Sequence, residues 1–117
     1  MSRILVALNG ANLKRSILNS AYRCCRDLKM KVDIILVGDD KEAPPALDEL
    51  LLRLGQARLA PRLFLQHALP VGQAVLAHVR QHKDIYLVLV DALDWGKGIP
   101  FRALRQPVGL LGSLAAV

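Results

Sequence analysis

The stretch that decides the fold is Ile85–Val90, IYLVLV, six apolar residues that lead through Asp91 into the segment 94–100, DWGKGIP. A continuous apolar run without alternation predicts a strand that is buried on both faces of a parallel sheet. In α/β proteins, a buried strand that leads into glycines and a lysine often precedes a phosphate site. The segment DWGKGIP therefore either binds a nucleotide or only turns the chain, and the two possibilities imply different functions.

Strands and helices alternate along the rest of the chain. Ile4–Leu8 and Ile34–Val37 are further apolar runs, Arg62–Gln66 is a weaker one, and Pro107–Leu111 is a short fifth candidate. This alternation predicts an α/β fold, a doubly wound open sheet of about five mostly parallel strands with helices on both faces. The predicted buried stripes are Leu13, Ile17, Ala21, Cys24 and Leu28 in the first helix, Leu47, Leu50, Leu51 and Leu54 in the second, and Val71, Val75, Leu76 and Val79 in the third.

Length and composition limit the kind of protein. The 117 residues suit one compact domain over 1–117, and 53% hydrophobic with 22% charged residues is typical of a folded globular chain. No apolar stretch reaches the roughly 18–20 residues of a membrane span, and the N-terminus does not resemble a signal peptide. The adjacent Cys24 and Cys25 cannot form an ordinary disulfide with each other. We therefore expect a reduced, cytoplasmic setting without membrane insertion.

Three stretches of the chain resemble parts of one known protein family. RILVALNGANLKRSILNSAYRCC, residues 3–25, is similar to the family's first strand, turn and helix. LPVGQAVLAHVRQHKDIYLVLV, residues 69–90, is similar to its third helix and fourth strand, and QPVGLLG, residues 106–112, to its last strand. The family is that of the universal stress proteins, and the resemblance to it implies a Rossmann-like fold of the adenine nucleotide alpha hydrolase-like type and a homodimer through the last strand.

The resemblance also implies where ATP would bind in one branch of the family. That branch has an Asp after the first strand, where this chain has Asn9, and a Val at the end of the second, which is Val37 here. Its phosphates lie on a loop of pattern G-x2-G-x9-G-[ST], whereas Gly96 and Gly98 are separated by one residue. If ATP or AMP binds, the candidate residues are Asn9, Val37, Gly96 and Gly98; no other cofactor is implied.

The connection after the fourth strand is short. Only 15 residues lie between Asp91 and Pro107, and a parallel crossover needs about a dozen or more. That leaves room for one or two helical turns near Phe101–Arg105. We therefore expect DWGKGIP to turn the chain, with Lys97 solvated and with Trp95 and Phe101 filling the space that a nucleotide would occupy.

The chain offers few candidates for a metal or a nucleophile. His78 and His82 are four residues apart on one helix, a spacing that can hold a metal, but no supporting carboxylate is evident in the sequence, and we expect both at the edge of the apolar stripe. Cys24 fits the buried stripe and Cys25 lies beside it, without an evident base to activate either thiol. These observations predict no metal site and no catalytic residues.

The charged residues of the chain could serve in binding, or they could simply lie in solvent or cap turns. The formal net charge of +6 suits a nucleic acid, an anionic membrane or a nucleotide phosphate as partner. The basic residues of the first helix lie opposite its apolar stripe without interleaved aromatic residues, so we expect them in solvent and expect no nucleic-acid binding. Asp91 and Asp94 either hold Mg²⁺ near a phosphate or cap a turn. The basic residues in question are Arg15, Arg23, Arg26 and Lys29.

The expected function follows from these absences and from the resemblance. We expect a non-enzymatic, universal stress protein-like regulatory protein of the stress response, acting through a homodimer built on Pro107–Leu111 or through a protein partner. An edge strand favours such pairing because its backbone groups need partners. Two alternatives stay open: a nucleotide-binding universal stress protein that takes ATP or AMP, and a cytoplasmic regulatory partner of a membrane transporter, which follows from the resemblance alone.

Overall fold

The protein alternates strands and helices in the predicted order. The computed structural model describes residues 2–10, 13–38, 44–67, 69–91 and 104–111. No helix within these ranges combines the length and the apolarity needed to cross a bilayer. The elements are β1 (Arg3–Asn9), α1 (Arg15–Leu28), β2 (Lys31–Val37), α2 (Pro45–Gln56), β3 (Arg62–Gln66), α3 (Val71–Gln81), β4 (Ile85–Val90) and β5 (Val108–Leu110).

The five strands form one parallel sheet in the order β3-β2-β1-β4-β5. The chain moves outward from β1 to β2 and β3, and then returns to place β4 on the other side of β1. The strand order therefore reverses between β1 and β4, which is where open α/β sheets usually bind ligands. This arrangement confirms the predicted doubly wound α/β fold.

Alternate residues of each central strand face opposite layers of the core. Ile4, Val6 and Leu8 of β1 pack in one apolar cluster with α1 and α2. Leu5 and Ala7 of the same strand pack in a second cluster with α3. Because β1 is buried on both faces, it shows the continuous apolar run that the sequence predicted for a parallel strand.

The buried face of α1 differs from the predicted stripe. Leu18, Ala21 and Cys25 form its buried centre, while Cys24 is only partly buried and Leu28 is 49% exposed. The predicted stripe is confirmed for Ala21 and in part for Leu13, Ile17 and Cys24, which pack partly buried against the core, and it is wrong for Leu28. The difference arises because α1 packs against α2 as well as against the sheet. The buried face is thereby turned toward Leu18 and Cys25, and the helix ends at Lys29 in the left-handed conformation.

The other two helices follow their predicted stripes closely. In α2, Leu47, Leu50 and Leu54 are buried, and the helix begins with the expected proline in its first turn. In α3, Val75 and Val79 are buried. These helices therefore cover opposite faces of the sheet, α2 with α1 on one face and α3 on the other.

Candidate functional site

The carboxyl edge of the sheet brings two of the predicted nucleotide residues together. Asn9 ends β1 and Val37 ends β2, and the two are direct partners in the parallel register. Gly10 and Gly38 follow them, and a Cβ added to Gly38 would lie 3.7 Å from the Gly10 Cα atom. Gly96 and Gly98, with the whole of DWGKGIP, lie outside the described residues.

A carboxylate spans the crevice at the point where the strand order reverses. The Asn9 backbone N–H donates a 2.9 Å hydrogen bond to Asp91 Oδ2, and Asp91 directly follows β4. The bond joins the carboxyl ends of β1 and β4 across the switch point. Of the two roles predicted for Asp91, this contact corresponds to the structural one, a side chain that caps backbone at the end of a strand. Asp94 lies outside the described residues.

The carboxyl ends of β2 and β3 are also joined by internal bonds. The Gly38 N–H donates to the Gln66 carbonyl at 3.1 Å. His67 Nδ1 lies 2.7 Å from the Gly38 carbonyl oxygen, so this nitrogen carries the proton and donates. The backbone of this part of the crevice is thus engaged with the protein itself.

The opposite, amino-terminal edge of the sheet holds a buried ionic cluster that the sequence reasoning missed. Asp33 of β2 is 0% exposed. Arg3 Nε donates to its Oδ1 at 2.8 Å, Arg62 donates to both carboxylate oxygens at 2.7 and 2.8 Å, and His78 Nε2 lies 2.9 Å from Oδ2. We call these four residues the Asp33 cluster; it connects β1, β2, β3 and α3.

The charge of Asp33 is maintained by its partners. Burial acts to raise the pKa of this carboxyl, but hydrogen bonds from His78, Arg62 and Arg3 outweigh burial and hold the pKa well below its usual range. The pKa of the Arg62 guanidinium is raised, chiefly by its hydrogen bond to Asp33. The cluster is therefore a buried carboxylate that is neutralised by guanidinium groups, which is the form in which proteins tolerate buried charge.

The surroundings of the two histidines correct the sequence prediction. A carboxylate does stand beside them: ligand atoms of Asp33, His78 and His82 all lie within 4.8 Å of one another. His78 is 6% exposed rather than at a boundary, and its ring stacks on that of His82 with centroids 4.2 Å apart. The sequence missed this arrangement because Asp33 is 45 residues from His78 and reaches it only through the fold.

These three groups are poorly suited to a divalent cation. The Asp33 carboxylate already accepts bonds on both oxygens from Arg3 and Arg62, whose positive charges would repel a metal ion at close range. The arrangement instead suits a structural role, holding the starts of three strands to the last turns of α3.

The burial of the two cysteines is the reverse of the prediction, which placed Cys24 in the buried stripe and Cys25 beside it. Cys25 is fully buried in the core, and burial raises the pKa of its thiol to about 12. Cys24 is half-buried, and burial also raises the pKa of its thiol. A thiol nucleophile needs a lowered pKa, so neither cysteine has the chemistry of a catalytic residue.

The basic residues of α1 are exposed, as predicted. Arg15, Arg23, Arg26 and Lys29 all lie at the surface. One aromatic ring does lie among them: Tyr22 has the Arg53 guanidinium 3.9 Å from its centroid and that of Arg26 at 5.6 Å. The ring is thus covered by guanidinium groups of the protein itself.

Two solved structures resemble the whole fold. A crystal structure of a protein from the universal stress protein family from Burkholderia pseudomallei aligns with a TM-score of 0.67 and 19% identity, covering 95% of this chain and 96% of that chain. Universal stress protein UspA from Lactobacillus plantarum aligns with a TM-score of 0.60 and 15% identity, covering 94% and 97%. No family profile and no curated protein matches the sequence. The predicted resemblance is confirmed at the level of the fold.

Proposed function

We propose that this chain is a non-enzymatic regulatory protein of the universal stress protein type, which acts by associating with a second copy of itself or with a protein partner. One observation carries the proposal. The Asp91 carboxylate bonds the Asn9 N–H across the crevice where a nucleotide would enter. The carboxylate in this position occupies a backbone donor that could otherwise bind a phosphate oxygen.

The position of β5 supports association. The strand order places β4 on one side of β5 and no strand of the described ranges on the other. Val108, Gly109 and Leu110 are all partly exposed, so this edge presents apolar side chains at the surface. Adding a strand to the edge of a sheet is a common mode of protein association.

Light scattering coupled to size-exclusion chromatography tests the association. We expect a dimer, and we expect Val108→Lys to convert it to a monomer because a charge on an edge strand opposes strand pairing. Gln66→Lys is the matched control, since it places the same charge on β3 at the opposite edge of the sheet. A wild-type protein that stays monomeric at high concentration contradicts association through β5.

Thermal unfolding with and without nucleotide tests whether the crevice binds a nucleotide. We expect ATP to leave the melting temperature unchanged, whereas saturation to 100 times a dissociation constant would add about 2.7 kcal/mol of stability. A large rise with ATP that Lys97→Ala abolishes contradicts the proposal.

A nucleotide with fewer phosphates is the second candidate ligand. It is favoured by the adjacency of Asn9 and Val37 in the register, since the resemblance assigns both positions to the adenine and ribose. A rise in melting temperature with AMP but not with ATP, reduced by Asn9→Ala, supports this alternative over the first.

A further inference from the structure

The amino-terminal edge of the sheet is strongly basic. A basic residue stands at or shortly before the start of every strand, in the order Arg3, Lys31, Arg62, Lys83 and Arg105. Arg3 and Arg62 are neutralised by Asp33. Lys83 and Arg105 have no carboxylate partner among the described residues, and much of the positive charge at this edge is therefore available to a ligand.

A cavity lies among Lys83, Arg105 and a further cation, Arg80. It measures about 480 Å³ and is lined by Arg80 from the last turn of α3, Lys83 from the α3–β4 turn, and Arg105 and Gln106 from the segment before β5, with Leu76 and Val79 of α3 as its apolar part. Arg80, Lys83 and Arg105 are exposed, and no carboxylate lines the cavity.

A second observation points to a ligand. The Gln106 side-chain oxygen Oε1 is buried and accepts no hydrogen bond from the described residues. A buried polar atom without a partner is destabilising, so such atoms are uncommon in folded proteins. Because Gln106 also lines the cavity, a rotation of its side chain would let Oε1 accept a hydrogen bond from a hydroxyl group bound there.

We propose that Arg80, Lys83 and Arg105 bind the phosphoryl group of a small hydroxyl-bearing phosphate ester, with Gln106 accepting from the hydroxyl. A phosphate monoester presents three strong acceptor oxygens and nearly two negative charges, which match three cationic donors. Liquid water occupies about 30 Å³ per molecule, so the cavity has room for a phosphoryl group and part of its carrier.

The surrounding structure holds these side chains in place. Leu104 is buried against the α3 face of the core, and the Pro107 carbonyl accepts from the Val88 N–H at 3.0 Å, which positions the segment that carries Arg105. The turn that carries Lys83 is held by a 2.8 Å bond from the Arg3 N–H to the Asp84 carbonyl.

Two nearby negative charges do not cancel the positive charge of this cavity. The C-terminus of α3 carries at most about half an elementary charge, which is less than the three cations beside it. Asp84 follows Lys83, but its charge contributes to the raised pKa of Arg62, after the larger effect of Asp33, and its carboxylate does not line the cavity.

Titration of the isotope-labelled protein with inorganic phosphate, followed by amide NMR, tests the proposal against sodium chloride at equal ionic strength. We expect saturable shifts at residues 80–84 and 104–107 with phosphate and not with chloride. Arg80→Gln and Arg105→Gln should each weaken binding about tenfold or more, because each removes a charge-assisted contact. Arg23→Gln, on an exposed face of α1, is the control and should bind as the wild type does.

Other outcomes are decisive in either direction. Equal shifts with phosphate and chloride, or unchanged binding in both arginine variants, overturns the proposal. If Arg105→Gln unfolds the segment, Lys83→Gln on the exposed turn provides the same test. Vesicles containing phosphatidic acid, compared with phosphatidylcholine vesicles, distinguish the source: binding to inorganic phosphate alone supports a soluble ester, and binding to both supports the site with a lipid headgroup as an additional source.

Discussion

At the residue scale, Asp33 is the side chain on which the packing of the amino-terminal edge depends. It is fully buried, and its partners come from two neighbouring strands and one helix. A buried ion pair contributes little net stability compared with apolar residues, but the loss of one partner leaves a buried charge without compensation. The cluster therefore makes the stability of the fold sensitive to a single substitution at Asp33.

Asp33→Asn should lower the free energy of unfolding by about 3 kcal/mol or more. The neutral amide leaves Arg3, which is almost fully buried, without its counter-charge, while Arg62 is 44% exposed and retains part of its hydration. Urea unfolding at pH 7 measures the loss. Asp84→Asn is the control, since this exposed acid should change stability by less than about 0.5 kcal/mol; equal effects of the two substitutions would contradict the assigned role of the cluster.

The same cluster predicts a loss of stability in acid. The folded pKa of Asp33 is lower than its unfolded value, so its contribution is complete above about pH 4 and is lost as the pH falls through the folded value. Urea unfolding measured at a series of pH values from neutral to acid should show the free energies of unfolding of the wild type and of Asp33→Asn converging as the pH falls. A difference that stays constant over this range would show that Asp33 is not ionised in the native state.

The two thiols should react at very different rates. Cys25 is fully buried with a pKa raised to about 12, whereas Cys24 is half-buried. Iodoacetamide should therefore modify Cys24 first and reach Cys25 only on unfolding, because the thiolate is the reacting form. Mass spectrometry of the Cys24→Ser and Cys25→Ala variants assigns the labelled thiol. Fast labelling of Cys25 in the native protein would contradict its burial.

At the element scale, sequence patterns located strands better than helix faces. β3 and β4 have the predicted bounds, while β2 begins at Lys31, three residues before the predicted apolar run. The start of β2 was missed because it contains Asp33, and a charged residue argues against a buried strand. Asp33 is tolerated there because Arg3, Arg62 and His78 surround it. A contact formed between distant parts of the chain leaves no local signal, and the shift of the α1 face has the same origin, since it depends on α2.

Substitution by alanine should have opposite effects on stability at two glycines in different elements. A Cβ on Gly109 in β5 would lie 2.9 Å from Leu89 Cδ2, so Gly109→Ala crowds a buried side chain and should cost about 1–3 kcal/mol. Gly55 in α2 has nothing within 4 Å of its added Cβ, so Gly55→Ala should stabilise by up to about 1 kcal/mol. Thermal unfolding measures both, and destabilisation by Gly55→Ala would contradict the open space described there.

At the scale of the whole molecule, the parallel sheet separates two chemically different edges. The carboxyl edge holds Asn9, Val37 and Asp91 at the reversal of strand order, and the sequence predicted the first two because the resemblance assigned them. The amino-terminal edge holds the Asp33 cluster and the basic cavity. Neither was predicted, since both assemble residues from three or four elements that only the topology brings together. Part of the protein's positive charge therefore lies around this cavity, which the composition alone could not show.

The central position of β1 predicts which backbone amides are best protected from hydrogen exchange. β1 pairs with β2 and β4 and is buried on both faces, whereas β3 and β5 are edge strands. Amides of Leu5–Leu8 should therefore exchange with solvent only on global unfolding, and those of β5 much sooner. Native-state hydrogen exchange measured by NMR tests this order, and comparable rates in β1 and β5 would contradict it. Asp91→Ala provides an internal check: it removes the acceptor of the Asn9 N–H, so exchange at Asn9 should accelerate while the protection of Leu5–Leu8 persists, because that protection depends on the paired strands on either side of β1.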